Sequence, residues 1–378
     1  MKKDQKYPIR VLHRGMSYNK GGIETFIMNL YRNIDREKIQ FDFIVPEGMD
    51  IAFEEEIKKL GGNIYKVICG IKKNPIKALL YDWKFFKKHP EISILHIHDC
   101  SAANLRLMKT AKKMGIKIRI LHSHNNDYLT PLNKRQLITE KWNKKNINKI
   151  ATDLFACSDE AGKFMFEKNS YKVVKNAVNA NKFLFNQDKR EQLRKELGIN
   201  NELVIGCVAR FDYQKNHMFL LDVFSEYLKI ETNSKLLLIG DGPLKEKINN
   251  KILKLGIEEK VILLGMRDNI DELLNCLDLF ILPSLSEGLG IVFIEAQING
   301  LKCLTSDNVP QETNILGNIT YKSLFDSIED WVKEIKKMTK ALKREKVDLN
   351  IIKEKGYDIC YESKKIEEFY LKKIRENE

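Results

Sequence analysis

Short β-branched runs alternate with segments of helical period along most of the chain, and this alternation restricts the fold more than any other feature. IRVLHRG, FDFIVP, NIYKVI, SILHIHD, KIRILHSH and TDLFACS read as strands, with segments such as ETFIMNLYRNI and AANLRLMKTAKKM between them. Such alternation implies a parallel α/β sheet. The pattern breaks at NANKFLFNQDKREQLRKELGINN, which is polar and helical and holds no strand. LVIGCVAR, KLLLIGDG, VILLG, LDLFILPS and KCLTSD then open a second series. Because 378 residues exceed one ordinary core, the simplest architecture is two doubly wound domains in tandem. We place them at residues 1–180 and 201–356, with a linker region at 181–200 and a final amphipathic helix at 357–378. That helix carries Ile366, Phe369, Tyr370 and Ile374 on one face.

No run approaches the roughly 18 uninterrupted apolar residues of a membrane span, and no apolar region precedes the first strand, so no signal peptide is expected. Seven cysteines are scattered without a C-x-x-C pair, as expected of small buried hydrophobes in a reducing, cytoplasmic compartment. The net charge of +13 fits an anionic membrane surface, a polyanionic substrate, or simply a lysine-rich solvated surface. No recognised nucleic-acid motif accompanies it, so no nucleic-acid partner is expected. YDWKFFKKHP sets Trp83, Phe85 and Phe86 among Lys84, Lys87 and Lys88, and KRQLITEKWNKKNINK sets Trp142 among six basic residues. Helices of this kind suit peripheral contact with anionic lipid or are packed helices with a solvated lysine face.

Doubly wound sheets bind ligands beyond the carboxyl ends of their strands, so chemistry is sought where the runs end. LVIGCVAR ends in Arg210, and Lys215 follows at the start of the next helix. Two cations there make an anion site suited to a diphosphate, or are an ordinary surface pair. LDLFILPS is followed by SEGLG and the helix IVFIEAQING. Gly288 and Gly290 let backbone approach a ligand and leave free N–H groups at a helix start. Glu287 sits in that turn, while Glu295 lies inside an apolar helix, where a carboxylate must be satisfied by protein donors or ligand hydroxyls. Two carboxylates converging on one polyhydroxyl ligand explain both positions. In the first half, Gly21 and Gly22 follow the first strand. Five of the seven histidines end strands: His13, His96, His98, His122 and His124. Residues two apart share a face, so a pair could hold a metal, yet the cysteine and acidic ligands of a zinc motif are missing at useful spacing.

In these motifs the chain resembles retaining glycosyltransferases of the GT-B fold, family 4, most closely the capsular and exopolysaccharide branch. The family mark of two glutamates separated by seven residues matches Glu287 and Glu295 in EGLGIVFIE; the likeness extends to VARFDYQKN, LLIGDGPL, VILLGMRDNIDELL and HRGMSYNKGGIETFIMNLYRNID. It implies two Rossmann-like domains facing across a cleft, with the last helix returning to the first domain. It also implies that Arg210 and Lys215 hold a donor diphosphate, that Glu287 with Gly288, Leu289, Gly290 and Ile291 grips the donor sugar, and that Glu295 binds the ribose. Gly265, Met266 and Arg267 would meet the base, and Gly21 and Gly22 would close over the phosphates. Ala209 stands where the family usually has glycine, but the cation itself is present. By the same resemblance His122 is the catalytic histidine, with His98, Asp99 and His124 as acceptor-side candidates and Asp99 orienting a histidine.

No Asp-x-Asp occurs in the chain, so no metal and no cofactor are expected, and the diphosphate is to be neutralised by Arg210, Lys215 and helix dipoles. The implied reaction moves a sugar from a nucleotide-diphosphate donor, a UDP-sugar, to a glycan acceptor, a sugar on a polyprenyl diphosphate at the inner face of a bacterial membrane. Two alternatives remain at this stage: a sugar-nucleotide epimerase or phosphorylase on the same fold, and a non-catalytic partner subunit of a glycosyltransferase.

Overall fold

The computed structural model describes residues 8–18, 21–67, 75–125, 127–128, 131–340, 342–344 and 346–378. The chain divides into two compact units, Met1–Val178 with Gly356–Glu378, and Asn179–Lys355.

The first unit is built on a parallel sheet of β1 (Ile9–Arg14), β2 (Ile39–Pro46), β3 (Ile64–Val67), β4 (Ile92–Asp99), β5 (Ile118–Ser123), β6 (Asp153–Ala156) and β7 (Lys172–Val173). Its order is β3-β2-β1-β4-β5-β6-β7. The order reverses between β1 and β4, which makes their carboxyl ends the switch point of the sheet. Strand side chains alternate between faces: Phe41, Phe43 and Val45 enter one core, while Ile44 enters the other. The first of these cores is closed by the helix Gly22–Asn33 and by the terminal helix Ile359–Asn377. Ile359, Ile366 and Tyr370 are fully buried there, so the last helix does return to the first domain. Its start is fixed locally, since the Asp358 side chain accepts from Tyr361 N.

In the second unit the strands are β8 (Leu203–Val208), β9 (Ser234–Ile239), β10 (Val261–Gly265), β11 (Leu279–Leu282), β12 (Lys302–Ser306) and β13 (Ile319–Lys322). They form a parallel sheet of order β10-β9-β8-β11-β12-β13, with the switch point between β8 and β11. The sheet is covered by helices that include His217–Leu228 and Ile328–Thr339, where Phe219 meets the buried Trp331 edge-on at 5.2 Å.

Residues 181–200, read from sequence as a linker, belong to the second unit. They form helical turns within Ala180–Phe183 and the helix Gln187–Glu196. Long-range ion pairing draws them in: Arg190 Nη2 lies 2.5 Å from Asp278 Oδ1, and Arg194 Nη1 lies 3.3 Å from Asp278 Oδ2.

Candidate active site

At the switch point of the second sheet the turns after β8 and β11 are joined to each other. The Asp212 side chain accepts from Lys215 N at 3.2 Å, capping the single 3-10 turn Tyr213–Lys215 and setting the direction of the Lys215 side chain. Leu285 N donates to Gln214 O at 2.7 Å, and Gln214 Nε2 donates to Ser286 O at 2.8 Å. Within this clamp Lys215 Nζ lies 2.7 and 2.8 Å from the two oxygens of Glu287, and Ser284 Oγ donates to Glu287 Oε1 at 2.7 Å. Only 6% of the Glu287 side chain and 20% of Lys215 remain exposed, so their attraction is weakly screened and each charge depends on the other. Arg210 is exposed at the same sheet edge and has no side-chain partner among the described residues. An anion arriving there meets one free guanidinium and one ammonium already held by a carboxylate.

The turn from Glu287 leads through Gly288 and Leu289 to Gly290, which lies at φ +65 and starts the helix Ile291–Ile298. A Cβ at Gly290 would fall 2.9 Å from Phe293 Cδ2, so both conformation and space call for glycine. The first-turn N–H groups of this helix carry the positive end of its dipole. Phe293, Ile294 and Ala296 are fully buried and pin the helix to the sheet. Glu295 keeps an open edge, and its carboxyl has no hydrogen-bond partner among the described residues. Burial, with a smaller push from Asp271, raises that carboxyl to about 8. It is therefore a neutral acid near pH 7, awaiting donors that would favour its charged form. Gly265 (φ +66) ends β10, and the exposed Met266 and Arg267 follow it, two strands from β8 on the same edge.

In the first unit Gly21 precedes the helix Gly22–Asn33 as its cap residue. A Cβ at Gly22 would meet nothing within 4 Å, whereas one at Gly21 would fall 2.9 Å from Glu24 Oε2. The buried Glu24 accepts from Ser17 N at 3.1 Å and Ser17 Oγ at 2.5 Å, which ties the turn after β1 to the helix. Asn19 and Lys20 of this turn lie outside the described residues.

His13, His96, His98 and His122 are aligned by strand register, His13 opposite His96 and His98 opposite His122. His98 shares hydrogen bonds of 2.9 Å with His13 through Nε2 and with His124 through Nδ1, and His96 Nδ1 bonds the Tyr370 hydroxyl at 2.7 Å. His122 is fully buried, between the edges of Phe26 and Phe155, while His124 is partly exposed in the turn after β5. Burial holds all five imidazoles below the ordinary histidine range, His13 and His124 down to about 3. Asp99 does not orient a histidine side chain. Its carboxylate accepts from Cys100 N at 2.9 Å and pairs with Arg14 at 3.2 Å, although burial raises its pKa.

Arg14, Ser17, Glu24, Gln214 and Ser284 escaped the sequence reading, and Tyr370 was read only as part of the apolar face of the last helix. Arg14 and Ser284 stand at the ends of strand-like runs, the same signal that marked Arg210. For Tyr370 no local signal exists, since its partner His96 is 274 residues away.

Two parallel, doubly wound units, the second with a cation–carboxylate cluster at its switch point, place the chain in the GT-B class. The solved structure of Anabaena HepE in complex with UDP and glucose superposes with a TM-score of 0.69 over 95% of this chain and 94% of that one, at 17% identity. Family profiles described as glycosyltransferase family 4 and glycosyl transferases group 1 match residues 20–182 and 189–356. EpsF of Bacillus subtilis, named a putative glycosyltransferase, is 34% identical over 340 residues, 88% of both chains. The UDP-Gal:alpha-D-GlcNAc-diphosphoundecaprenol alpha-1,3-galactosyltransferase of Escherichia coli is 28% identical over 78% of this chain and 79% of its own. CapH, a capsular polysaccharide biosynthesis glycosyltransferase of Staphylococcus aureus, is 24% identical over 97% and 99%. The chain belongs to glycosyltransferase family 4, the group 1 glycosyltransferases, and is a glycosyltransferase of polysaccharide or glycoconjugate biosynthesis.

Proposed function

We propose that the protein is a retaining hexosyltransferase. It moves a sugar from a nucleotide-diphosphate donor, a UDP-sugar, to a polyprenyl-diphosphate-linked glycan in bacterial capsular or exopolysaccharide synthesis. The observation that carries this reading is the cluster of Lys215, Glu287 and Ser284 beside the unpaired Arg210, with the partnerless acid Glu295 on the helix that follows. Arg210 and Lys215 take the diphosphate, Glu287 with the backbone of Gly288 to Ile291 takes the sugar, Glu295 takes the ribose diol, and Gly265 to Arg267 meet the base. UDP bound by HepE and the diphosphoundecaprenol acceptor of the Escherichia coli relative support the choice of substrates.

The acceptor is taken by the first unit, with His98, Asp99, His122 and His124 on its side and Gly21 and Gly22 at the start of the helix that follows β1. The described carboxylates around these residues are engaged: Glu24 with Ser17, Asp99 with Arg14, and Glu140 with Ser101. None is therefore a natural covalent nucleophile, which favours front-face attack. The acceptor oxygen bonds to the anomeric carbon on the face the diphosphate leaves, and the departing diphosphate oxygen takes the acceptor's proton. Preorganised positive charge at Arg210, Lys215 and the helix start stabilises the leaving group. The test is transfer of labelled sugar from UDP-sugars to synthetic polyprenyl-diphosphate sugars, with the anomeric configuration read by NMR. An α-product from an α-donor supports the reading, and inversion contradicts it.

Because protein cations neutralise the diphosphate, added Mg²⁺ or Mn²⁺ is expected to change the initial rate less than about twofold. An increase of tenfold or more would show that the donor needs a chelated cation.

The helices Pro75–Lys88 and Lys134–Lys145 expose Leu79, Leu80, Trp83, Ile138 and Trp142. Lysine ammonium groups lie over both indoles, Lys87 over Trp83 at 5.4 Å and Lys109 over Trp142 at 4.4 Å. No helix among the described residues is long and apolar enough to cross a membrane. This surface suits peripheral binding at the cytoplasmic face of the membrane. Flotation with phosphatidylglycerol vesicles is expected to carry the protein at low salt, and Trp83→Ala with Trp142→Ala to leave it in the pellet fraction. Equal flotation with neutral vesicles would contradict this.

A further inference from the structure

Ring nitrogens of His98, His122 and His124, one from each, lie within 4.8 Å of one another. A tetrahedral zinc ion with Zn–N of about 2.0–2.1 Å sets its nitrogens roughly 3.3–3.4 Å apart. Two of the three residues stand on strands held in register, His98 on β4 opposite His122 on β5. The third, His124, lies in the turn just beyond β5, so the remaining closure falls on the side chain with the most freedom. His98 Nδ1 and His124 Nε2 are already 2.9 Å apart.

The hydrogen-bond state of these rings points to a ligand. A neutral imidazole carries one N–H and one lone pair, and buried polar atoms are normally partnered. Yet His122 is fully buried with neither ring nitrogen in a well-formed hydrogen bond, only a weak interaction with the Val174 backbone, and His124 Nδ1 is buried and unpartnered as well. The rings are kept neutral by burial, and His98 and His122 also by their neighbours, which is the form that ligates. Behind them a supporting bond is in place: with His98 ligating through Nδ1, its Nε2–H donates to His13 Nδ1 at 2.9 Å, so an imidazole nitrogen stands where a carboxylate, carbonyl or water usually orients a metal-bound histidine. The neighbouring triad of His13, His96 and His98 is less suitable, because all three are fully enclosed and His96 Nδ1 is engaged by Tyr370.

We propose that His98, His122 and His124 form a three-nitrogen binding site for a divalent transition-metal ion of borderline softness, with Zn²⁺ the reference case. Three protein ligands leave the fourth position open for an oxygen, water or a hydroxyl. The missing Asp-x-Asp bears on the donor diphosphate in the second unit and not on this site. The inference rests on the first unit alone; the same three histidines stand on the acceptor side of the proposed transfer, so an ion held there would lie at the acceptor site, but its binding does not require that transfer occurs.

The test uses the untagged full chain, stripped with chelator and titrated with Zn²⁺ and Co²⁺, with metal content measured by mass spectrometry after desalting. One equivalent of Zn²⁺ is expected, and Co²⁺ should give the intense visible bands of a four-coordinate site. His124→Ala, at the partly exposed rim, should weaken binding more than tenfold. His13→Gln should weaken it about 10- to 100-fold through the supporting bond, while His89→Ala leaves it unchanged. Failure of the folded wild-type chain to retain either metal, or retention unchanged in His124→Ala, would overturn the proposal and leave ordered water as the partner of the buried nitrogens. Nucleotide binding by the second unit, measured on the same stripped samples, separates this outcome from failure of the transfer reading.

Discussion

Lys215→Ala is expected to lower kcat for sugar transfer about 100- to 1,000-fold, the loss typical of removing one preorganised stabiliser of developing charge. Lys215 ends the 3-10 turn Tyr213–Lys215, just before the helix His217–Leu228, with its ammonium held 2.7 Å from Glu287, so no reorganisation is needed as the diphosphate leaves. The same substitution deprives a nearly buried carboxylate of its cation. Losing one member of a buried pair costs about 3–5 kcal/mol in full burial, and less here because 20% of Lys215 faces solvent. Stability and rate can be separated with Lys215→Met combined with Glu287→Gln, which removes both charges. That double variant should regain most of the lost melting temperature while kcat stays depressed. If kcat recovered with stability, Lys215 would be structural rather than a stabiliser of the leaving group.

Glu295→Gln is expected to weaken nucleotide binding about 10- to 100-fold, the range for losing one or two hydrogen bonds to a charged acceptor. In the free protein the Glu295 carboxyl titrates at about 8, and ribose hydroxyls donating to its ionised form lower that value on binding. Binding therefore releases a proton. Affinity should rise with pH up to about 8 and level off above it, and the glutamine variant should lose this slope. Stability has the opposite sign. An unfolded glutamate titrates near 4.3, so between about 4.3 and 8 the folded state holds the extra proton, and stability falls as pH rises through that interval. The non-titrating variant should melt higher than wild type at pH 9 while binding nucleotide less tightly. Calorimetric titration and melting curves across this range check both signs; a pH-independent affinity in the wild type would place the ribose elsewhere.

The alternation of LVIGCVAR, KLLLIGDG, VILLG and LDLFILPS was enough to read the second sheet, because strands buried on both faces are continuous apolar runs. The short β7 and β13 escaped notice for the converse reason: KV and ITYK carry too little pattern. Arg210, Lys215 and Glu287 could be found because strand ends are where a doubly wound sheet presents ligand-binding residues. What joins them was hidden. The Lys215–Glu287 pair spans 72 residues and depends on β8 and β11 being neighbours. Residues 181–200 read as a linker because their anchors, Arg190 and Arg194, reach Asp278 across 88 and 84 residues. Likewise the i,i+2 histidine pairs were visible in LHIHD and LHSHN, but their convergence required the order β1-β4-β5. Asp99 was expected to orient a histidine, whereas its cation, Arg14, comes from the adjacent strand.

The most direct test of the central claim, that the second unit binds a nucleotide-sugar donor, is a thermal-shift screen of the full chain with UDP, GDP, ADP and CMP, repeated on Arg210→Ala and Glu295→Ala. A ligand at 100 times its Kd adds about 2.7 kcal/mol to stability. The account predicts a rise in melting temperature with UDP, smaller or absent with the other nucleotides, and lost in both variants. No shift with any nucleotide, or a UDP shift that survives both substitutions, would contradict it.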